Sequence, residues 1–312
     1  MKNKKIKLKQ LKSSYNVLAS DMFYKAILDM LLEGAQTTNL RYTERDTTKF
    51  TKIAKILFGE KYQSDYFKVS TFPANNRIYL PGGIFYRSRK VNSDKVDYLY
   101  DDFWEAPPQY VTKGRLNKQK ESMLYLAAKT PETAIKESRV CIGDTYILML
   151  YKAVSEIEVG EIGWDFNNEA VAFMSTHFKK CGDVAYNISE RLAKEVYQFE
   201  NDGWSYPSVI HESGENICLN LEAKAKLELV GAFLLEQGME EPQKLAIFDI
   251  TNKNKIKILN DWDSPNSNAR KLNESFDLLI EKARKENEAL LSTYAKANNQ
   301  HTTYKAVILP TE

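Results

Sequence analysis

Cysteine and histidine are scarce in this 312-residue chain. The three cysteines, Cys141, Cys181 and Cys218, are odd in number and widely spaced. That argues against a disulfide frame or a zinc site and for reduced thiols. The three histidines, His177, His211 and His301, share no metal-ligand spacing, so they are read as structural or surface residues and no metal is expected. Long apolar runs are missing too. No stretch approaches the roughly 18 residues needed to span a bilayer, and no apolar segment follows the basic start MKNKKIKLKQLK. No secretory leader and no membrane contact are therefore expected, and the location expected is cytoplasmic. There is no G-x-G-x-x-G and no Walker lysine, so Pro81-Gly82-Gly83 reads as a chain break and not as a phosphate cradle. A net charge of +2 demands neither nucleic acid nor an acidic partner. The chain shows no internal repeat.

What is present is ordinary soluble-protein composition, 43% hydrophobic and 28% charged, over a length that permits one large domain or two modest ones. Residues 1–12 carry six lysines and no acid, and read as a solvated terminus in preference to an arm for nucleic acid. Helical spacing of apolar residues covers 14–36 and 47–58, a prelude without chemistry of its own. Strands are expected at Arg77–Leu80 and Ile84–Arg89. The alternation of the second puts Phe85 and Arg87 on one face and Tyr86 and Ser88 on the other; a buried Arg87 would need a partner or a ligand. Residues 90–113 read as a long loop of the kind that forms lids or binding segments. The adjacent Asp101 and Asp102 lack a third metal ligand and read as solvated.

The stretch Gly114 to Glu137 then combines a polar Gly-Arg turn, a short strand Met123–Ala128, and a helix that starts with Thr130 as cap and Pro131 at its first position. Thr145–Tyr151 is a near-continuous apolar run fit for a central strand. Helices are expected over 171–178 and 188–199, and a strand at Asn216–Leu221. Pro207 cannot donate to a ladder, so Ser208 should lie at a strand end. Strands at Leu245–Ile250 and Lys255–Leu259 precede a helix over 268–296, with Leu272, Phe276, Leu279, Ala283, Leu290 and Tyr294 as its apolar face or, alternatively, a dimer seam.

Taken in order, Tyr86-Arg87-Ser88-Arg89, Gly114-Arg115-Leu116-Asn117, Leu124-Tyr125-Leu126-Ala127, Thr133-Ala134-Ile135-Lys136-Glu137 and Tyr206-Pro207-Ser208 with Asn216–Asn220 resemble the RES domain family over roughly residues 84–222. Two departures stand out: Lys118-Gln119-Lys120 replaces the small, Gly-containing turn common after the Gly-Arg-x-Asn element, and His211-Glu212-Ser213 replaces the basic residue usual after Tyr-Pro-Ser-Val. The resemblance implies an α+β fold, with an ADP-ribosyltransferase-like mixed β-sheet core and surrounding helices. The resemblance does not cover residues 1–80 or the tail beyond about 265; joined to the apolar spacing there, it leads to three expected parts: a mainly helical N-terminal extension over 1–80, an NAD-binding domain over 81–265, and a C-terminal helix and strand over 266–312 packed on that domain.

The activity implied is NAD cleavage at the nicotinamide–ribose bond, by glycohydrolysis or phosphorolysis, in a toxin held by a cognate antitoxin. NAD is then substrate, and the residue types suit it. Arginine forks grip pyrophosphate with charge-assisted bonds, for which Arg87 and Arg115 are the candidates. An aromatic face packs on nicotinamide, for which Tyr125 and Tyr86 are the candidates. A carboxylate, Glu137, stabilises the charge developing on the ribose. Ser208, with Asn216, positions substrate by hydrogen bonding. Two alternatives stand beside this reading: ADP-ribosyl transfer to a protein, and an inactive nucleic-acid-binding module. The prelude could also supply a homodimer contact.

Overall fold

The structure is a computed structural model and describes residues 67–74, 76–92, 97–162, 178–191, 193–194, 201–297 and 303–310. The helices expected over 14–36, 47–58 and most of 171–178 fall outside that set, as do His177 and His301. The described part of the expected N-terminal extension is strand: β1 (Phe67–Ala74) and β2 (Asn76–Tyr79). Then follow β3 (Ile84–Lys90), β4 (Leu124–Ala128), α1 (Pro131–Glu137), β5 (Thr145–Ala153), β6 (Ile157–Glu161), α2 (Asp183–Arg191), β7 (Gly203–Pro207), β8 (Glu215–Leu219), β9 (Leu227–Glu236), β10 (Gln243–Asp249), β11 (Lys257–Leu259), α3 (Asn268–Ala297) and β12 (Thr303–Pro310). The fold is α+β, with a large mixed sheet and few helices among the described residues.

Ten strands form one sheet in the order β11-β10-β9-β5-β3-β4-β8-β7-β6-β2, and β1 pairs with β12 separately. All its pairings are antiparallel except β6 with β7. The run Thr145–Tyr151 is an interior strand, β5, lying between β3 and β9. Period-2 alternation sends successive side chains to opposite faces. On one face Phe85, Leu124, Leu126, Tyr151, Ile217, Leu219 and Phe248 make the larger core. On the other, Tyr86, Ala127, Ala134, Tyr146 and Phe233 pack with Ala269 and Phe276 of α3. Full burial of each large apolar side chain contributes about 1.5–3 kcal/mol, so both faces stabilise the sheet.

Three local expectations need correction. Thr130 occupies the cap position of α1, but its side chain makes no capping bond; its hydroxyl lies 3.4 Å from that of Thr133 instead. The helix expected from Ile188 begins at Asp183. In α3 the buried positions are Ala269, Phe276 and Ala283, while Leu279 and Leu290 are 47% and 42% exposed. Phe276 and Ala283 of the expected stripe are thus in the core with Leu272 packed against it, while Ile280 takes the place expected of Leu279, and Asn287 donates to the carbonyls of Leu80 and Pro81.

Candidate active site

β3 pairs with β5 along all seven of its residues, Ile84–Lys90, but with β4 only at Phe85↔Ala128 and Tyr86↔Ala127. Beyond Tyr86 the two strands part. The Arg87 side chain enters the gap and its Nη1 donates to the Tyr125 carbonyl at 2.8 Å, where a ladder bond would otherwise run. A cavity of about 450 Å³ opens at this split, walled by β3, β4, the end of α1, Tyr206 of β7, Asn216 of β8 and the segment 106–117. Arg87, Arg115, Tyr86, Tyr125, Glu137 and Asn216, picked from sequence, all line it. Ser208 reaches it through Glu137.

Seven residues of helix carry Glu137 from the Thr130-Pro131 start to the cavity edge. Its Oε1 accepts from Ser208 Oγ at 2.6 Å and from Asn216 Nδ2 at 2.5 Å. Both donors are neutral, and among the described residues no cation pairs with this carboxylate. Ser208 follows Pro207, where β7 stops, in a turn closed by its own N–H to the Gly214 carbonyl. Its oxygen also accepts from the N–H groups of Ile210 and His211, at 3.2 and 2.9 Å. The hydroxyl proton is thus given to Glu137 and the lone pairs are taken by backbone, an arrangement for holding a carboxylate. The His211 ring is engaged elsewhere, with Thr133 Oγ1 at 2.8 Å and Ser213 Oγ at 3.3 Å.

The cations are the second feature. Arg87, Arg89, Lys113 and Arg115 all line the cavity. Among the described residues none of the four has a carboxylate within 4 Å. Arg87 Nε is buried with no hydrogen-bond partner there, and burial, reinforced by the neighbouring Arg89, pulls the guanidinium below the usual arginine range. Arg89 donates to the carbonyls of Asp102 and Trp104. Arg115 is tied to the segment just before α2: Nη1 donates to the carbonyls of Phe178 and Lys180, and Nη2 lies 3.1 Å from Cys181 Sγ. Its own carbonyl accepts from Ser189 Oγ. A buried guanidinium satisfied by carbonyls keeps its full charge for a ligand, unlike one neutralised by a carboxylate.

The Gly-Arg-Leu-Asn turn owes its shape to Asn117, whose Nδ2 donates to the carbonyls of Thr112 and Lys118. A Cβ on Gly114 would come within 2.5 Å of Asn117 Oδ1, so only glycine fits there. Tyr125 donates its hydroxyl to that same Oδ1 at 2.7 Å, and burial raises the phenol well above its ordinary value. Tyr86 accepts from Arg284 Nη2 of α3 at 3.2 Å. Sequence reading missed Arg89, Lys113, Tyr110 and Tyr206 as cavity residues. Arg89 could have been found, since it lies two residues beyond Arg87 on the same strand. Among the described residues no group of three or more His, Cys, Asp or Glu side chains is placed to hold a metal ion, and the Asp102 carboxylate instead accepts from the Leu99 N–H. No helix of the described residues is long and apolar enough to cross a membrane.

No curated protein and no solved structure matches the chain. The segment that supplies the lining of this cavity does match a known family model: residues 84–233 match the RES domain.

Proposed function

We propose that the chain is a toxin-like enzyme that cleaves NAD at the bond between nicotinamide and ribose, on an ADP-ribosyltransferase-like sheet. The observation that carries this reading is the charge inventory of the cavity: four cations without carboxylate partners among the described residues, and one carboxylate held only by neutral donors. A dinucleotide matches both. Its pyrophosphate supplies the anion that Arg87, Arg89, Lys113 and Arg115 lack, by charge-assisted bonds worth about 1.5–3 kcal/mol each. Its ribose becomes oxocarbenium-like as neutral nicotinamide leaves, and the Glu137 carboxylate offers negative charge to that transition state. Ser208 and Asn216 fix the carboxylate through Oε1, while Oε2 has no partner among the described residues. Ser208 acts as a positioning residue, since its proton and lone pairs are already committed. Tyr125 walls the cavity and holds the Asn117 turn.

Such an activity would deplete the host's own NAD, so the reading includes a neutralising partner protein. The test is to incubate purified protein with NAD, with and without inorganic phosphate, and follow the products by NMR. Nicotinamide with free ADP-ribose identifies hydrolysis, and a phosphorylated ADP-ribose identifies phosphorolysis. ADP-ribose on a protein band would move the assignment to transfer. Intact NAD would end the reading.

A further inference from the structure

One wall of the cavity is built from the segment Ala106–Lys113, and it is tied down closely for a loop. Arg89 holds the carbonyls of Asp102 and Trp104, and Ser122 Oγ donates to the Ala106 carbonyl at 2.7 Å. The Lys120 N–H donates to the Val111 carbonyl at 3.0 Å, and Asn117 Nδ2 takes the Thr112 carbonyl at 2.8 Å. Pro107 and Pro108 stiffen the short 3-10 turn Pro108–Tyr110. On this fixed backbone the Tyr110 ring is left 75% exposed at the cavity. No other ring and no hydrogen-bond partner engages it among the described residues.

We propose that Tyr110 is a stacking platform for the adenine ring of the substrate, the end of the dinucleotide farthest from the bond that breaks. This rests on the NAD reading above and adds a specificity element to it. An aromatic ring presented on a pinned turn loses little freedom when a planar heterocycle lies on it. Stacking a base on an aromatic side chain is tolerant of in-plane chemistry, and alanine substitution at such platforms typically costs about tenfold or more in affinity. Lys113 lies between Tyr110 and Arg115 in sequence and lines the same cavity, so a diphosphate held by the cations leaves the adenosine end at the Tyr110 rim.

The experiment compares wild type, Tyr110→Ala and Tyr110→Phe on two substrates, NAD and nicotinamide mononucleotide, which lacks the adenosine. ADP-ribose binding is measured in parallel by calorimetry. Tyr110→Ala should raise KM for NAD and Kd for ADP-ribose about tenfold, leave kcat within about twofold, and leave KM for the mononucleotide unchanged. Tyr110→Phe should restore the wild-type values, because the platform is the ring and not the hydroxyl. Equal loss on both substrates, or no loss on either, overturns the proposal while NAD cleavage stands. Should wild type leave NAD intact, the cleavage reading falls alone and ADP-ribose decides: a Kd unmoved by Tyr110→Ala, or no binding by wild type, overturns the platform.

Discussion

Strand β8 gives one carboxylate to the back of the sheet and one amide to the front, and the two faces treat charge in opposite ways. On the back, Glu215 is fully buried and surrounded by donors. Arg77 Nη1 lies at 2.6 Å, the Tyr79 hydroxyl donates to Oε1, and Lys129 Nζ lies 3.0 Å from Oε2. Arg77 also pairs with Glu161. Burial pulls Arg77 down, but Tyr79, Glu215 and Glu161 outweigh it and its affinity for the proton is raised. On the front, one residue later, Asn216 donates to Glu137, whose partners among the described residues are all neutral, and the four cations lining the cavity there have no carboxylate partner among those residues. A charge enclosed by opposite charges holds a fold together. Charges of both signs left apart in one cavity are arranged for something that enters it.

Backbone strain gathers around two elements of the cavity wall. Among the described residues the non-glycine positions with left-handed φ are Lys120, Lys129 and Arg139, at 65°, 71° and 52°. They bracket β4 and α1, the two elements that carry Tyr125 and Glu137. Such conformations cost about 1–2 kcal/mol each and persist where the surroundings fix them.

The largest expected effect comes from breaking the paired face. Glu215→Ala removes the acceptor that Arg77, Tyr79 and Lys129 share and leaves Arg77 with Glu161, and should lower unfolding free energy by about 1–3 kcal/mol in urea titrations. The matching change on the front, Glu137→Gln, keeps an oxygen for Ser208 and Asn216 to bind. Stability should move by less than about 1 kcal/mol, while nicotinamide release slows about 10²–10³-fold. If Glu137→Gln proved the more destabilising of the two, or left turnover unchanged, the contrast between the faces would be lost.

How much of this was readable beforehand differs by element. β3, β4 and α1 announce themselves through Gly82-Gly83, alternation and Thr130-Pro131. The ten-residue strand β9 went unread, because it is apolar on both faces and short apolar runs do not separate strand from helix by period. Its Gly231 looks like a breaker, yet it is there because Phe276 of α3 packs where a Cβ would stand, 2.6 Å from the ring. β6 was missed as well. The convergence of Arg87, Glu137 and Ser208 came only through the family motifs; spacing alone says nothing about the two-residue pairing that splits β3 from β4. Tyr110 and Lys113 sit in a segment whose shape depends on Arg89, Asn117 and Ser122, none of which signals its partner in sequence.

Alkali tests both faces together. Burial raises Tyr125, Tyr206 and Cys218 behind the cavity, and Tyr79 beside Glu215, while Tyr146 is pushed up to about 12. A raised value means the folded state holds its proton after the unfolded chain has lost it. The stabilisation is therefore complete below the ordinary thiol and phenol values, near 9 and 10, and is lost as pH climbs through the folded ones. Unfolding free energies from urea titrations should hold steady up to about pH 9 and then fall by roughly 1.4 kcal/mol per pH unit for each proton involved. Tyr206→Phe removes one such proton from the front alone, so its slope should be shallower by one proton with the Glu215 network untouched. An unchanged slope would place the alkaline sensitivity wholly on the other groups.

The smallest effect isolates strain from chemistry. Lys120 sits at φ 65°, in the turn that the family motif fills with a glycine-containing sequence, and its side chain is exposed. Its N–H bonds the Val111 carbonyl, so the conformation is imposed by the loop that walls the cavity. Lys120→Gly relieves about 1 kcal/mol of left-handed strain and gives back roughly 0.5–1 kcal/mol in unfolded-chain entropy. The expected net is a gain of about 0.5 kcal/mol or less, read as a small rise in urea midpoint, with KM for NAD unchanged. A rise in KM would mean that the stiffness of lysine at this turn, and not the bare backbone geometry, keeps the Tyr110 wall in place. The loop would then be held by its strain as well as by its hydrogen bonds.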